Sequence, residues 1–169
     1  MIVLEASALA NAFTNDGTVG QQSRAQLFRG AHWAAPQHLI VETFSAVRGR
    51  HLGGKVTTER ATDALDALMS STIELLSTMA LLPRMWQLRH DLTGYDAAYI
   101  AAAEAYDCPL VTGECPTQSH RRASVRNSPS NANRLTTVFR ADTGDTATVC
   151  RCRALRGGAG IGEVLAHHS

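Results

Sequence analysis

The sequence predicts an α/β protein in which helices cover both faces of a mostly parallel sheet, followed by an irregular tail. Two observations favour this class. Short apolar runs alternate with helical segments along residues 1–112, and such alternation forms parallel β-α units that build a three-layer α/β/α sandwich. Four acids also stand where an apolar run gives way to a turn or a helix, which is where α/β folds place their sites.

The first predicted element is a strand over residues 1–4, because this apolar run is too short for a helix and ends at Glu5. Residues 6–13 are rich in alanine, which favours a helix. A turn signal, Asn-Asp-Gly at residues 15–17, leads into a second helix over residues 20–28. The chain therefore starts as strand, acid, helix, helix.

The middle of the chain supplies the remaining predicted elements. Pro36 favours an extended residue before it, residues 37–48 carry apolar side chains at helical spacing, and Thr57 precedes an acid as a helix cap does. Pro83 stands in the first turn of a helix, where its missing N–H costs nothing. In order, the elements are a strand at 32–35, helices at 37–48 and 57–69, a strand at 72–76, helices at 81–92 and 97–106, and a strand at 109–112. Neither a strand nor an amphipathic helix is predicted within residues 121–145.

Length and charge divide the chain into two parts. With 169 residues and 44% apolar content it can form one domain with a core, which we assign to residues 1–115. Those residues carry eight Lys or Arg against twelve acids, whereas residues 116–169 carry eight Arg against three acids. The second part is predicted to be a basic tail of low order. Phe139 is its only aromatic residue, so a non-catalytic nucleic-acid binder, which would need a stacking surface, is the weakest reading.

The sequence favours a cytoplasmic protein. Its apolar stretches fall far short of the roughly 20 residues that span a bilayer, so no membrane segment is predicted. The acid at Glu5 interrupts the first apolar run, which argues against a secretory signal. The cysteines are Cys108, Cys115, Cys150 and Cys152. Their spacing is not that of a zinc site, so we expect free thiols.

The candidate catalytic and metal-binding residues are four carboxylates, Glu5, Glu42, Asp96 and Glu114. Glu5 and Glu114 follow predicted strands, and the other two lie on helices that enter the same edge of the sheet. Mg2+ and Mn2+ prefer oxygen ligands, and an ion bound by such acids activates water and stabilises charge on a phosphodiester oxygen. The acids therefore predict phosphodiester hydrolysis. The alternative is structural, with Glu5 capping a helix, Glu42 exposed and Asp96 acting as an N-cap.

Five motifs occur in a fixed order along residues 1–115. They are Met1-Ile-Val-Leu-Glu-Ala-Ser-Ala-Leu, Val41-Glu42, Trp86-Gln-Leu-Arg-His, Thr93-Gly-Tyr-Asp-Ala-Ala-Tyr and Leu110-Val-Thr-Gly-Glu. Together they resemble the PIN-domain toxins of VapC type from type II toxin-antitoxin systems. The resemblance implies a PIN-like fold and an Mg2+-dependent endoribonuclease that cleaves structured RNA. It also implies a cognate antitoxin as partner and a homodimer.

The resemblance assigns roles to individual residues. The four acids would hold the metal, with Mn2+ as the substitute for Mg2+. Ser7 and Thr112 would position the acids by hydrogen bonds, and Arg84 or Arg89 would contact the RNA. The alternative is a catalytically inactive PIN-fold protein that binds only an antitoxin or itself.

Two acids depart from the family pattern, which has Asp where this chain has Glu5 and Glu114. A glutamate carries the same charge on a longer stem, and it shifts a bound ion by more than the ~0.5 Å that a preorganised site tolerates. We therefore expect activity lowered by about 10- to 100-fold.

The chain also departs from the family after Gly113. The family continues Asp-Ala-Arg-Leu and ends with one more strand, whereas this chain reads Glu-Cys-Pro-Thr-Gln from residue 114 and runs to residue 169. Codons GAA TGC CCG ACT CAG encode that pentapeptide, and deleting one A gives GAT GCC CGA CTC, which encodes Asp-Ala-Arg-Leu. We hypothesise that residues 114–169 are a frameshifted reading. The nucleotide sequence tests this, since other bases there would exclude it.

Overall fold

The structure is a computed structural model that describes residues 1–113 in full and the backbone of residues 138–141 and 148–153. Its elements, in chain order, are β1 (Ile2–Leu4), α1 (Ala6–Thr14), α2 (Thr18–Leu27), β2 (Trp33–Pro36), α3 (Leu39–Leu52), α4 (Thr58–Ser70), β3 (Ile73–Leu76), α5 (Thr78–Leu88), α6 (Gly94–Ala105), β4 (Leu110–Thr112), β5 (Val138–Ala141) and β6 (Thr148–Arg153).

The strands form one sheet in the order β3-β2-β1-β4-β6-β5. Strands β1 to β4 run parallel, and Val3 of β1 pairs with Ala34 of β2 on one side and with Leu110 of β4 on the other. β6 is antiparallel to β4, with Thr148 opposite Thr112, and β5 is antiparallel to β6. The mostly parallel sheet confirms the predicted α/β class.

Helices pack on the sheet in two groups. α1 packs against α2, α3 and α4, whereas α6 packs against α5 and lies on β1 and β2. β1 is buried along its whole length, and so are residues 97–103 of α6. The many alanines of α6 permit this burial, because small side chains let a helix approach its neighbours closely. Within the described residues, none of the helices has the length and apolar character needed to traverse a lipid bilayer.

The elements of residues 1–113 match the predicted order, with small differences at their ends. α5 begins at Thr78 rather than at residue 81, so Pro83 lies inside the helix and not in its first turn. The chain enters this helix directly after β3, and the N–H of Ala80 already donates to the carbonyl of Ser77 at 3.1 Å. The predicted start lies three residues too far along the chain, because a proline is typical of the first turn of a helix and Pro83 therefore indicates a later start.

The prediction that residues 121–145 contain no strand is wrong, since β5 lies within them. β6 also occupies the position beside β4 where the frameshift hypothesis took a strand to be missing. The strands were not recognisable because strand formation depends on pairing partners more than on local composition. The frameshift hypothesis loses this support and stays a prediction about the nucleotide sequence. Residues 114–137, which include Glu114, lie outside the described residues.

Cys108 is a free, half-buried thiol, and burial raises its pKa. The prediction of free thiols is thus confirmed at this position. Cys115 lies outside the described residues, and Cys150 and Cys152 lie in β6, where only the backbone is described.

Candidate active site

Glu5 stands where β1 ends and α1 begins, beside the end of β4. Its N–H donates to the carbonyl of Val111 at 3.0 Å, which ties the two strands together. Its carboxylate accepts from the Ser7 N–H at 3.4 Å and from Ser7 Oγ at 2.5 Å, and Thr112 Oγ1 donates to the same carboxylate. Glu5 therefore caps α1, as the structural alternative has it, and also lies at the sheet edge predicted for the site.

Gly113 allows β4 to approach α1 closely. Its N–H donates to Ser7 Oγ at 2.8 Å. A Cβ at this position would lie 2.8 Å from Ser7 Oγ and 2.6 Å from Asn11 Nδ2, so a larger residue would push the strand away. Ser7 is thus fixed by an amide on one side while it donates to Glu5 on the other, and the predicted positioning role of Ser7 and Thr112 has a geometric basis.

Asp96 lies in the first turn of α6. Thr93 is the N-cap of this helix, with its hydroxyl accepting from the Asp96 N–H at 3.2 Å and donating to Asp96 Oδ2 at 2.8 Å. The alternative that Asp96 itself is the N-cap is therefore wrong. The charge of Asp96 contributes to the raised pKa of Glu5, so the two carboxylates are electrostatic neighbours.

Glu42 lies in the first turn of α3 and reaches across to α6. Its Oε2 accepts from the Tyr99 hydroxyl at 2.6 Å and is 3.5 Å from His38 Nε2. The side chain keeps 29% of its exposure. The alternative that Glu42 is simply an exposed acid is wrong, because a buried phenol holds its carboxylate.

Burial dominates the electrostatics of this cluster. Burial raises the pKa of Glu5, the hydrogen bonds from Ser7 and Thr112 lower it in part, and Asp96 raises it further. Burial also raises the pKa of Tyr99, followed by its bond to Glu42 and the charges of Glu42 and Glu5. Burial lowers the pKa of His38, and Glu42 opposes that shift. The structure thus brings three of the predicted acids into one electrostatic neighbourhood.

The chemistry of these donors fits a hard divalent cation. Carboxylate oxygens are the ligands that Mg2+ and Mn2+ prefer, and a cation would relieve the repulsion between Glu5 and Asp96. Within the part of the chain that the structure describes, no three His, Cys, Asp or Glu side chains lie close enough together to hold an ion. The fourth predicted ligand, Glu114, lies outside the described residues, so the metal set stays a prediction.

The two arginines that the resemblance assigns to RNA binding differ in their burial. The Arg84 side chain is almost fully buried, and its Nε and Nη2 donate to the two carboxylate oxygens of Glu104 at 2.5 and 2.9 Å. Assigning Arg84 to the RNA is therefore wrong, because this pair ties α5 to α6. Arg89 is exposed, and its guanidinium lies 4.5 Å from the centre of the Trp86 ring. Its assignment stays a prediction.

Sequence reasoning missed Tyr99 and His38. Tyr99 follows Asp96 by three positions and so lies on the same face of α6, and His38 precedes Glu42 by one helical turn. These spacings were the available signal. What they could not reveal is the contact between α3 and α6, which joins residues 57 positions apart.

The sheet is mostly parallel, Glu5 follows the carboxyl end of β1, and Glu42 and Asp96 lie in the first turns of α3 and α6. These features define a PIN-like α/β domain. No family model matches the chain. It is 35% identical to Ribonuclease VapC1 of Mycobacterium tuberculosis over 113 residues, which are 66% of this chain and 84% of that protein. It is 32% identical to Ribonuclease VapC9 of the same organism over 114 residues, 68% of this chain and 86% of that one. The chain therefore belongs to the VapC family, which confirms the resemblance seen in its motifs.

A solved structure agrees at the level of fold. The M. tuberculosis protein VapC20, described as a toxin that cleaves the sarcin-ricin loop, superposes with a TM-score of 0.50 at 16% identity. The match covers 64% of this chain and 85% of that one. At this identity the likeness concerns the fold alone.

Proposed function

We propose that this protein is the toxin of a type II toxin-antitoxin system and cleaves RNA as an Mg2+-dependent endoribonuclease. The observation that carries the proposal is the placement of Glu5, a largely buried acid with a raised pKa, between the ends of β1 and β4 and beside Asp96. Membership of a family whose named members are ribonucleases supports the same activity. Acids that burial makes costly to ionise are typical of functional sites.

In this proposal Glu5, Glu42, Asp96 and Glu114 hold the ion, with Mn2+ as substitute. When bound, Mg2+ supplies a water of lowered pKa as the nucleophile and stabilises charge on the phosphodiester. Ser7 and Thr112 fix the Glu5 carboxylate, so that its position does not depend on the ion. The longer stems of Glu5 and Glu114 weaken this activity relative to a site built on aspartates.

The same proposal covers the location, the oligomeric state and the partners of the protein. It acts in the cytoplasm, on RNA, as a homodimer, and an antitoxin encoded beside it neutralises it by binding. Arg89 directly follows the last residue of α5 and is exposed, where it can neutralise RNA phosphate.

Cleavage of total RNA by the purified protein tests the activity. With Mg2+ or Mn2+ we expect cleavage that EDTA abolishes, and Asp96→Asn should lower its rate by at least about 100-fold, because the charge that binds the ion is gone. Asp91→Asn is the matched control, since Asp91 is an exposed aspartate just ahead of α6 and should retain full activity. Cleavage that persists in Asp96→Asn would refute the site.

A second candidate function is that of an inactive PIN-fold protein that binds only its antitoxin or itself. It is favoured by the finding that, in residues 1–113, the acids do not converge as a three-ligand metal set. This candidate predicts a stable complex with the antitoxin together with no cleavage of RNA at any Mg2+ or Mn2+ concentration.

A further inference from the structure

We propose that Tyr99 is a positioning residue that fixes Glu42 relative to Asp96 for binding of the divalent ion. This inference rests on the proposed function, since it concerns the same site. Nothing in the sequence motifs or the family comparison assigns a role to this hydroxyl.

The hydrogen bond between Tyr99 and Glu42 joins a buried phenol to a predicted metal ligand. Tyr99 keeps 2% of its exposure, and its hydroxyl donates to Glu42 Oε2 at 2.6 Å. A buried phenol needs a partner for its polar end, and here that partner is a predicted metal ligand on another helix. Because Tyr99 stands one turn after Asp96 on α6, the bond ties Glu42 to the helix that carries Asp96.

His38 holds the phenol of Tyr99 in place. The His38 ring packs edge-on against the Tyr99 ring, with 4.8 Å between their centres, and His38 Nε2 is 3.5 Å from Glu42 Oε2. The described contacts of Glu42 thus both fall on Oε2, and they fix the orientation of its carboxylate. Groups that orient metal ligands in this way contribute about 10- to 100-fold to metal affinity or activity.

Tyr106 provides a matched control at the other end of the same helix. Its hydroxyl donates to Glu74 Oε1 at 2.5 Å, so it makes the same type of phenol–carboxylate bond. Glu74 lies in β3, the strand at the edge of the sheet, and takes no part in the site.

The experiment compares Tyr99→Phe with Tyr106→Phe. Mn2+ affinity is measured by calorimetry on the full-length protein without RNA, and RNA cleavage is measured separately. For Tyr99→Phe we expect Mn2+ binding weaker by about 10- to 100-fold, a lower kcat at limiting Mn2+, an unchanged KM for RNA, and recovery of kcat in excess Mn2+. Tyr106→Phe should bind Mn2+ and cleave RNA like the wild type. A structural role alone would move the melting temperature and not the Mn2+ affinity.

Replacement of Tyr99 by 4-aminophenylalanine is the second variant, because it keeps a donor at the same place and should restore Mn2+ affinity. Wild-type affinity in Tyr99→Phe, or no recovery with the amino variant, would overturn the inference. A wild-type protein that binds no Mn2+ would overturn it as well. Mn2+ binding that depends on Tyr99 in a protein that does not cleave RNA would support the inference and refute the proposed activity.

Discussion

A largely buried carboxylate lies at each end of α6. At the C-terminal end, Glu104 forms a bidentate pair with Arg84, and the two side chains keep 8% and 10% of their exposure. At the N-terminal end, Asp96 neighbours Glu5, whose pKa is set by burial, by two hydroxyl donors and by another acid. Arg84 thus neutralises Glu104 at the first end, whereas hydroxyl donors and a second acid act on Glu5 at the other.

This difference separates a carboxylate that stabilises the fold from one to which the proposed function gives a chemical role. A buried charge is tolerable when it is paired and hydrogen-bonded, and Arg84 meets that need for Glu104. Ser7 and Thr112 orient the Glu5 carboxylate by hydrogen bonds. These neutral donors compensate its charge less than Arg84 compensates the charge of Glu104. Such stability–function trade-offs are common at active sites, and each of the following predictions tests one side of this contrast.

The largest expected effect is on stability, from Glu104→Ala. This change leaves the buried guanidinium of Arg84 without its carboxylate partner, which costs about 3–5 kcal/mol. Urea denaturation measures the loss in free energy of unfolding. The double change of Arg84→Met with Glu104→Met is the control and should recover most of the stability, since a buried ion pair is often replaceable by apolar side chains. Equal losses in the single and the double variants would contradict this account of the pair.

A smaller effect is expected from Ser7→Ala, and it should fall on activity more than on stability. Loss of the Ser7 hydroxyl frees the Glu5 carboxylate to move, so we expect RNA cleavage slower by about 10- to 100-fold and unfolding easier by only about 1 kcal/mol. Ser45→Ala removes an exposed hydroxyl from α3 and should change neither. Wild-type cleavage by Ser7→Ala would mean that Thr112 alone positions Glu5.

The smallest effect is a gain in stability from Glu5→Gln in metal-free protein. Because the pKa of Glu5 is raised above 4.5, its contribution to stability is fully present below that pH and is lost as the pH rises through the folded-state pKa. At neutral pH the ionised carboxylate therefore opposes folding, and the neutral amide removes this cost.

Melting temperatures in EDTA measure the effect of Glu5→Gln. The variant should melt higher than the wild type at pH 7, and the gap should close as the pH falls towards 4.5. Glu59→Gln is the opposite control, because Glu59 is exposed and hydrogen bonds to its own backbone and to Thr57 lower its pKa. That variant should not gain stability. A lower melting temperature for Glu5→Gln at pH 7 would contradict the contrast between the two ends of α6.

Much of the fold of residues 1–113 is predictable because its signals are local. The run Ile2–Leu4, the alanines of α6 and the cap at Thr93 each act within one element. β5 and β6 are not predictable in the same way, because their formation depends on pairing with β4 and with each other.

The candidate site is predictable as a location but not as a geometry. Family motifs and strand ends pick out Glu5, Glu42 and Asp96, yet the contacts that orient them join distant parts of the chain. Tyr99 reaches Glu42 across 57 positions, and no periodicity encodes that contact. Arg84 was misassigned for the same reason, since its partner Glu104 stands 20 positions away on another helix.

The bond between Thr112 and Glu5 closes a loop of 107 positions. Chains emerge from the ribosome N-terminus first, so Glu5 is exposed while the residues that orient it are still being translated. The sheet edge between β1 and β4 cannot assemble until almost all of residues 1–113 have been made. Any activity that depends on this orientation of Glu5 is therefore absent from the nascent chain until β4 has emerged.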